Sequence, residues 1–201
     1  MKNNSIFPIL LFSAYVIEFV VCAIDPFDRA VWWAENIPII LIVVGLVILY
    51  LRNIRFSNFA YVCMAFLVFW HTIGGHYTFE LVPFDRFNNL LGFERNMFDR
   101  IGHFSVGFYA YPIAEYLYKT GKTSSIGVAI FFGIFTVGTV AAVYEVVEWI
   151  YAATAGGSAG VAFLGSQGDI WDAQKDMLCD ILGALWISIF SFSLLKKQKV
   201  Q

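Results

Sequence analysis

Asn36-Ile-Pro-Ile-Ile-Leu-Ile-Val-Val-Gly-Leu-Val-Ile-Leu-Tyr-Leu51 carries no charged side chain, and Arg52 follows it at once. A helix needs about 20 mostly apolar residues to cross the hydrocarbon core of a bilayer. Trp32 and Trp33, just upstream, are residue types of the membrane interface and carry the run toward that length. Comparable runs recur on either side. Helices are expected at about 6–24, 36–51, 56–75, 98–118, 124–152 and 172–195. The whole chain of 201 residues is 59% hydrophobic and 14% charged, with a mean hydropathy of +0.70. Soluble domains carry roughly 25% charged residues, and a soluble chain of this length could not hide so much apolar surface. The fold class read from the sequence is therefore all-α: a single-domain, polytopic membrane bundle of about six transmembrane helices. Lys2 ahead of the first run gives it the look of a secretory signal. Its length and the poor cleavage site Val20-Val21-Cys22-Ala23 make it a retained anchor instead.

The basic residues set the orientation. Lys2, Arg52, Arg55, Lys119, Lys122, Lys196, Lys197 and Lys199 all fall on one side of six spans, in segments without Asp or Glu. The other side mixes Arg29, Arg86 and Arg95 with many carboxylates. Cytoplasmic connections are the ones rich in Lys and Arg, so both termini are expected in the cytoplasm, N-in and C-in. The outer connection 76–97 is too long for a mere connector. Its Gly74-Gly75 joint and its aromatic residues Tyr77, Phe79 and Phe84 predict a flexible lid over polar residues nearby. Ala155-Gly-Gly-Ser-Ala-Gly160 reads as a hinge or a loose loop.

A net charge of −2 gives no basic field for nucleic acid, which excludes that class of partner. Cys22, Cys63 and Cys179 lie singly in apolar runs, without the spacing of a thiolate zinc site. What stands out is ionisable residues at one depth. Each costs roughly 2.5–3.5 kcal/mol inside a membrane helix, so each is a functional suspect. Asp99 and His103 are i,i+4 at the start of the fourth helix, with Arg100 beside them. Glu145 and Glu148 share a face near the outer end of the fifth. Asp169, Asp172, Asp176 and Asp180 form an acidic stripe wherever that segment is helical, and Gly183, one turn on, lets another helix approach. His71 and His76 close the third helix at the same level. Asp99 and Asp172 also suit helix N-caps, and the histidines suit interfacial positions.

These stretches carry a resemblance. Gly74-Gly-His-Tyr-Thr78 with Val82-Pro83, Glu94-Arg-Asn96 with Asp99-Arg-Ile-Gly-His-Phe104, Tyr144-Glu-Val-Val-Glu-Trp149, and Phe163-Leu-Gly-Ser-Gln-Gly-Asp-Ile-Trp-Asp172 with Gln174 and Asp176-Met177 resemble the YjdF-like family of bacterial inner-membrane proteins. They span about half the chain. More distantly, Asp176, Asp180 and Gly183, with the preceding acidic motif, are similar to VanZ-like membrane proteins, although Glu145-x-x-Glu148 departs from the Glu-Gln usual there. The resemblance implies a multi-pass protein of the inner membrane with a shared polar site. It implies no particular reaction.

Oxygen-rich ligands with an imidazole suit Mg²⁺, Mn²⁺ or Zn²⁺. The first functional expectation is thus a metal-dependent enzyme acting on a lipid or a lipid-linked envelope precursor. His103, Glu145, Glu148, Asp176 and Asp180 are its metal-ligand candidates, and His103 and Glu145 are also candidates for the catalytic base. Arg100 is cast as a clamp on substrate oxygens. His76, Asp99, Asp169 and Asp172 are further candidates. No His-Glu-x-x-His helix is present, and Gln167-Gly-Asp169 lacks the first glycine of the intramembrane aspartyl-protease motif. The alternative is a non-enzymatic protein: a small transporter or ion-binding module, or a structural network of polar contacts. The oligomeric state is left open.

Overall fold

Asp28 decides where the second helix begins. Its backbone is extended, and its carboxylate accepts from the N–H groups of Ala30 (2.8 Å) and Val31 (3.0 Å), satisfying two of the donors a helix start leaves unpaired. The helix therefore opens at Arg29 rather than near residue 36, and Trp32, Glu35 and Asn36 lie inside it. The computed structural model describes residues 6–198; Lys2 and Lys199, two of the charges used for orientation, lie outside the described residues. The helices are α1 (Ile6–Cys22), α2 (Arg29–Leu51), α3 (Asn58–His76), α4 (Asp85–Leu91), α5 (Phe98–Val106), α6 (Ala110–Lys119), α7 (Ile126–Ala155), α8 (Gly157–Leu164) and α9 (Asp172–Gln198), and no strand occurs among the described residues.

Arg29–Leu51, Asn58–His76, Ile126–Thr154 and Asp172–Lys197 are each long and apolar enough to cross a membrane. α1 is a shorter apolar helix, and a single 3-10 turn, Gly107–Tyr109, joins α5 and α6 into one helical run. The count is about six, as the hydropathy predicts. The helices also leave large apolar side chains outward, among them Ile17, Leu41, Phe131, Phe135 and Ile189. Lipid, unlike water, imposes no penalty on them.

The chain divides into two units. The first comprises the residues up to Arg55, Leu67–Gly102 and Val147–Ile170. It holds one cluster around Tyr15, Ile39 and Val68 and another around Phe79, Val82 and Phe98. In the second cluster the Trp70 ring stacks on Phe98 at 4.2 Å, and its indole N–H donates to the Phe98 carbonyl (2.9 Å). The connection 76–97 is thus a packed segment with its own short helix, α4, stopped by Gly92 in the left-handed conformation. Gly74-Gly75 is not a flexible joint. Both glycines lie within α3; a Cβ on Gly74 would overlap the Phe79 ring, and one on Gly75 would lie 2.9 Å from Asn36 Nδ2. They are glycine so that neighbours can come close. The stretch after Ala155 is likewise not a loose loop. Gly156 and Gly157 take positive φ, and α8 follows, folded back so that a Cβ on Gly160 would lie 2.8 Å from the Ala152 carbonyl.

The second unit comprises Phe56–Phe66, His103–Val146 and the chain from Trp171. Backbones touch at two places. A Cβ on Gly183 would overlap the Phe104 carbonyl, one on Gly107 would overlap the Gly183–Ala184 backbone, and one on Gly133 would overlap the Ala110 carbonyl. At the start of α3, the buried Glu115 of α6 accepts from the Ser57 backbone N–H (2.6 Å), the Ser57 hydroxyl (2.5 Å) and the Lys119 ammonium (2.7 Å). A carboxylate from one helix thereby caps another.

Candidate functional site

The acidic stripe is real from Asp172 onward. α9 starts at that residue, so Asp172, Asp176 and Asp180 fall on one face at steps of four, and all three are buried. Asp169 lies before the helix, in the α8–α9 loop. The face meets α5. His103 stands with Nδ1 3.4 Å from Asp180 Oδ2 and Nε2 3.7 Å from Asp176 Oδ1. The contact of Gly107 with Gly183, one turn further along both helices, brings α5 near enough for those distances. Asp180 is 1% exposed, and its Oδ1 makes no hydrogen bond among the described residues. Asp99 sits one turn before His103 on α5, within 4.8 Å of it.

The imidazole thus has a carboxylate at each nitrogen. A neutral imidazole has one N–H and one lone pair. Whichever nitrogen carries the lone pair then faces an anion in a low dielectric, unless a positive charge stands between them. A proton or a metal ion supplies that charge. Nδ1 is directed at one buried carboxylate and Nε2 at a second, so the ring joins α5 to the acidic face of α9.

The other candidates are distributed as follows. Glu145 and Glu148 are half-buried on one face of α7. Arg100 is 6% exposed, with its guanidinium 3.5 Å from Asp169 Oδ2; Arg95 reaches the same oxygen at 3.6 Å and Asp99 at 3.8 Å. His76 Nδ1 lies 2.8 Å from the Cys22 carbonyl, tying the end of α3 to the end of α1. His71 pairs with Glu35 at 3.2 Å.

Several residues escaped the sequence reading. Glu35 looks like a loop acid until the Asp28 cap is placed; it is then a buried helical residue opposite His71. Glu115 had a readable partner, Lys119 at i+4, but its capping of Ser57 has no local sign. Asn96 is a polar node. Its side chain accepts from the Phe98 N–H (3.1 Å), capping α5, and donates to the carbonyls of Glu80 (2.9 Å) and Val82 (2.8 Å). Its backbone exchanges two hydrogen bonds with the Gln167 amide, at 2.8 and 3.1 Å.

Comparison with known proteins agrees with the resemblance to the YjdF-like family and lends no support to the more distant VanZ-like one. The family model described as "Predicted membrane protein (DUF2238)" matches residues 7–197. The chain is similar to the "Inner membrane protein YjdF" of Escherichia coli (strain K12), 36% identical over 173 residues, which cover 83% of this chain and 80% of that protein. No solved structure matches significantly. Asn96, Asp99, His103, Gln167, Asp169, Asp176 and Asp180 all fall inside the matched span. With four helices long and apolar enough to cross a membrane, shorter apolar helices beside them, and a family match over residues 7–197, the chain belongs to the DUF2238 family and is a multi-pass protein of the bacterial inner membrane.

Proposed function

We propose that the protein is a divalent-metal-dependent enzyme of the outer face of the inner membrane, acting on a lipid or a lipid-linked envelope precursor. The carrying observation is His103 held between two buried carboxylates, Asp176 and Asp180, an arrangement that calls for a cation. His103 Nε2 and Asp176 hold the ion, with Asp99 one turn away on α5. Asp180 keeps Nδ1 protonated and the ring aimed. One imidazole among carboxylates suits Zn²⁺ or Mn²⁺ better than Mg²⁺, which takes oxygen ligands and water. A bound metal would activate water or polarise a phosphoryl or carbonyl oxygen. Glu145 and Glu148 on α7 are the reserve of base and ligand, and Arg100 receives the anionic part of the substrate.

The test is metal content. Purified full-length protein is expected to hold one divalent ion per chain, and His103→Ala and Asp176→Asn to hold none while still inserting in the membrane. Wild-type protein without metal, and without a stability response to added Zn²⁺, Mn²⁺ or Mg²⁺, sinks the proposal. One observation favours a second reading. The helices touch backbone to backbone at Gly107 and Gly183 beside the cluster, as they would if a protonated His103 joined α5 to α9 in a structural or ion-binding module. A metal-free protein that loses stability on His103→Ala selects that reading.

A further inference from the structure

The chain after α3 does not continue away from the helix end; it turns back along it. The Phe79 ring lies 4.8 Å from the His71 ring and against Gly74. Phe84, the residue before α4, meets the rings of Trp70 (5.9 Å) and Phe98 (5.4 Å). Trp70 stands six residues before His76, the last residue of α3, which is about 9 Å down the helix at 1.5 Å per residue. α3 is itself long and apolar enough to cross a membrane, and its 19 residues measure about 28 Å, close to the thickness of the hydrocarbon core. The segment that carries α4 is therefore level with the last turns of a span. We propose that α4 is an interfacial helix, whose exposed apolar face docks into lipid at the boundary of headgroups and acyl chains, in the leaflet where α3 ends. The inference concerns anchoring and stands or falls independently of the enzymatic reading.

Two further observations agree with that depth. The first is how the side chains divide. Asn88 is buried and accepts from the Met97 N–H (3.1 Å), which fastens α4 to the entry of α5, and the Phe87 ring lies on Phe84 (4.7 Å). Outward stand Leu90, 82% exposed, and Leu91, with Phe93 and Leu81 exposed on either side of the helix. These large apolar groups continue the surface that the spans present to lipid. Glu80, Asp85, Arg86 and Glu94 are exposed on the same segment. Charges of that kind stay out of the acyl layer and hold the segment at headgroup level, and the combination of apolar and charged outer residues is what an interfacial helix carries. The second observation is the backbone. Acyl chains offer no hydrogen bonds, so irregular backbone at this depth must be satisfied within the protein. The stretch between α3 and α4 meets that demand. The N–H groups of Phe79, Glu80, Val82 and Phe84 donate to the carbonyls of Gly74 (2.7 Å), Thr78 (2.6 Å), Phe79 (3.2 Å) and Val82 (2.7 Å). The Asn96 side chain covers the carbonyls of Glu80 and Val82. On a loop standing in water, the solvent would supply such bonds.

The test is photo-crosslinking of the full-length protein in vesicles of phosphatidylethanolamine and phosphatidylglycerol. The photoreactive amino acid p-benzoyl-phenylalanine replaces one residue at a time. Leu90 and Leu91 report on the proposed face, Leu41 on the outward apolar surface of α2 is the lipid reference, and Lys122 in the α6–α7 connection is the aqueous reference. All four side chains are exposed, so the replacements leave the packing intact. After irradiation, adducts are identified by mass spectrometry. Positions 90 and 91 should form phospholipid adducts within about twofold of position 41 and on the order of tenfold above position 122. Yields at the level of position 122 would put the face in water, and adducts with a second copy of the chain in place of lipid would make it a protein interface. Either result overturns the inference.

Discussion

A carboxylate buried in a membrane helix must be neutralised, paired or metal-bound, and the buried acids of this chain stand in contrasting settings. Glu35 is paired: it is 3% exposed and lies 3.2 Å from the His71 ring. His71→Leu strands that carboxylate in an apolar environment and is expected to cost about 3 kcal/mol, whereas the double variant with Glu35→Leu should cost less than either single change. Denaturation of the four proteins in mixed micelles closes this cycle, and additive costs would show the pair to be uncoupled. Asp180 is the contrasting case, since one of its oxygens has no partner among the described residues. Asp180→Asn keeps the shape and a hydrogen bond to His103 but replaces the acceptor that fixes the ring. In a metal centre this outer position is expected to weaken metal affinity about 10–100-fold, against complete loss for Asp176→Asn. Equal metal content in wild type and both variants would remove the division of roles.

At the scale of elements, what the sequence revealed is the helices and the faces, because period and hydropathy are local. The Asp176–Asp180–Gly183 face was readable from spacing alone, and it meets His103 as that spacing suggests. What stayed hidden is whatever depends on a partner distant in sequence. The Asp28 cap shifts α2 by two turns and turns Glu35 from a loop residue into a buried one. Gly74 and Gly75 look like a hinge because nothing local shows Phe79 and Asn36 pressing on them. Asn96 and Gln167, 71 residues apart, show their bond in neither neighbourhood. Glycines therefore divide by what opposes them. A Cβ at Gly183 meets the Phe104 carbonyl, which cannot move out of the way; one at Gly138 meets only the tip of Ile181, at 3.8 Å. Gly183→Ala is expected to force α9 from α5, lower the stability by more than 2 kcal/mol or so and abolish metal binding. Gly138→Ala should be neutral or stabilising by up to about 1 kcal/mol, as alanine is the better helix former. Similar thermal stability of the two variants would show that the α5–α9 contact is looser than drawn.

At the scale of the whole molecule, orientation is a balance of charges near helix ends, and the structure shows how firmly several of them are held. On the side assigned to the cytoplasm, Lys119 pairs with Glu115, and Arg55 lies over the Tyr50 ring at 3.7 Å while donating to the Tyr50 carbonyl. Arg52, Lys122, Lys196 and Lys197 flank other helix ends on that side. On the opposite side, Arg29 donates to the Ala23 carbonyl, and Arg95 and Arg100 face Asp169. Paired or not, acidic residues do little to offset a Lys or Arg during insertion, so the bias is counted in cations alone. Arg29, Arg86, Arg95, Arg100 and Lys175 are then outnumbered by those on the other side. The expected orientation puts the α6–α7 connection in the cytoplasm and α4 outside. Green fluorescent protein fused after Lys122 should fluoresce, and the same reporter after Asn88 should stay dark, with an exported alkaline phosphatase giving the reverse pattern. An active cytoplasmic reporter at Asn88 would invert the molecule. It would place the Asp99–His103 end of α5 in the cytoplasm, and with it any substrate would change from an envelope precursor to a cytoplasmic one.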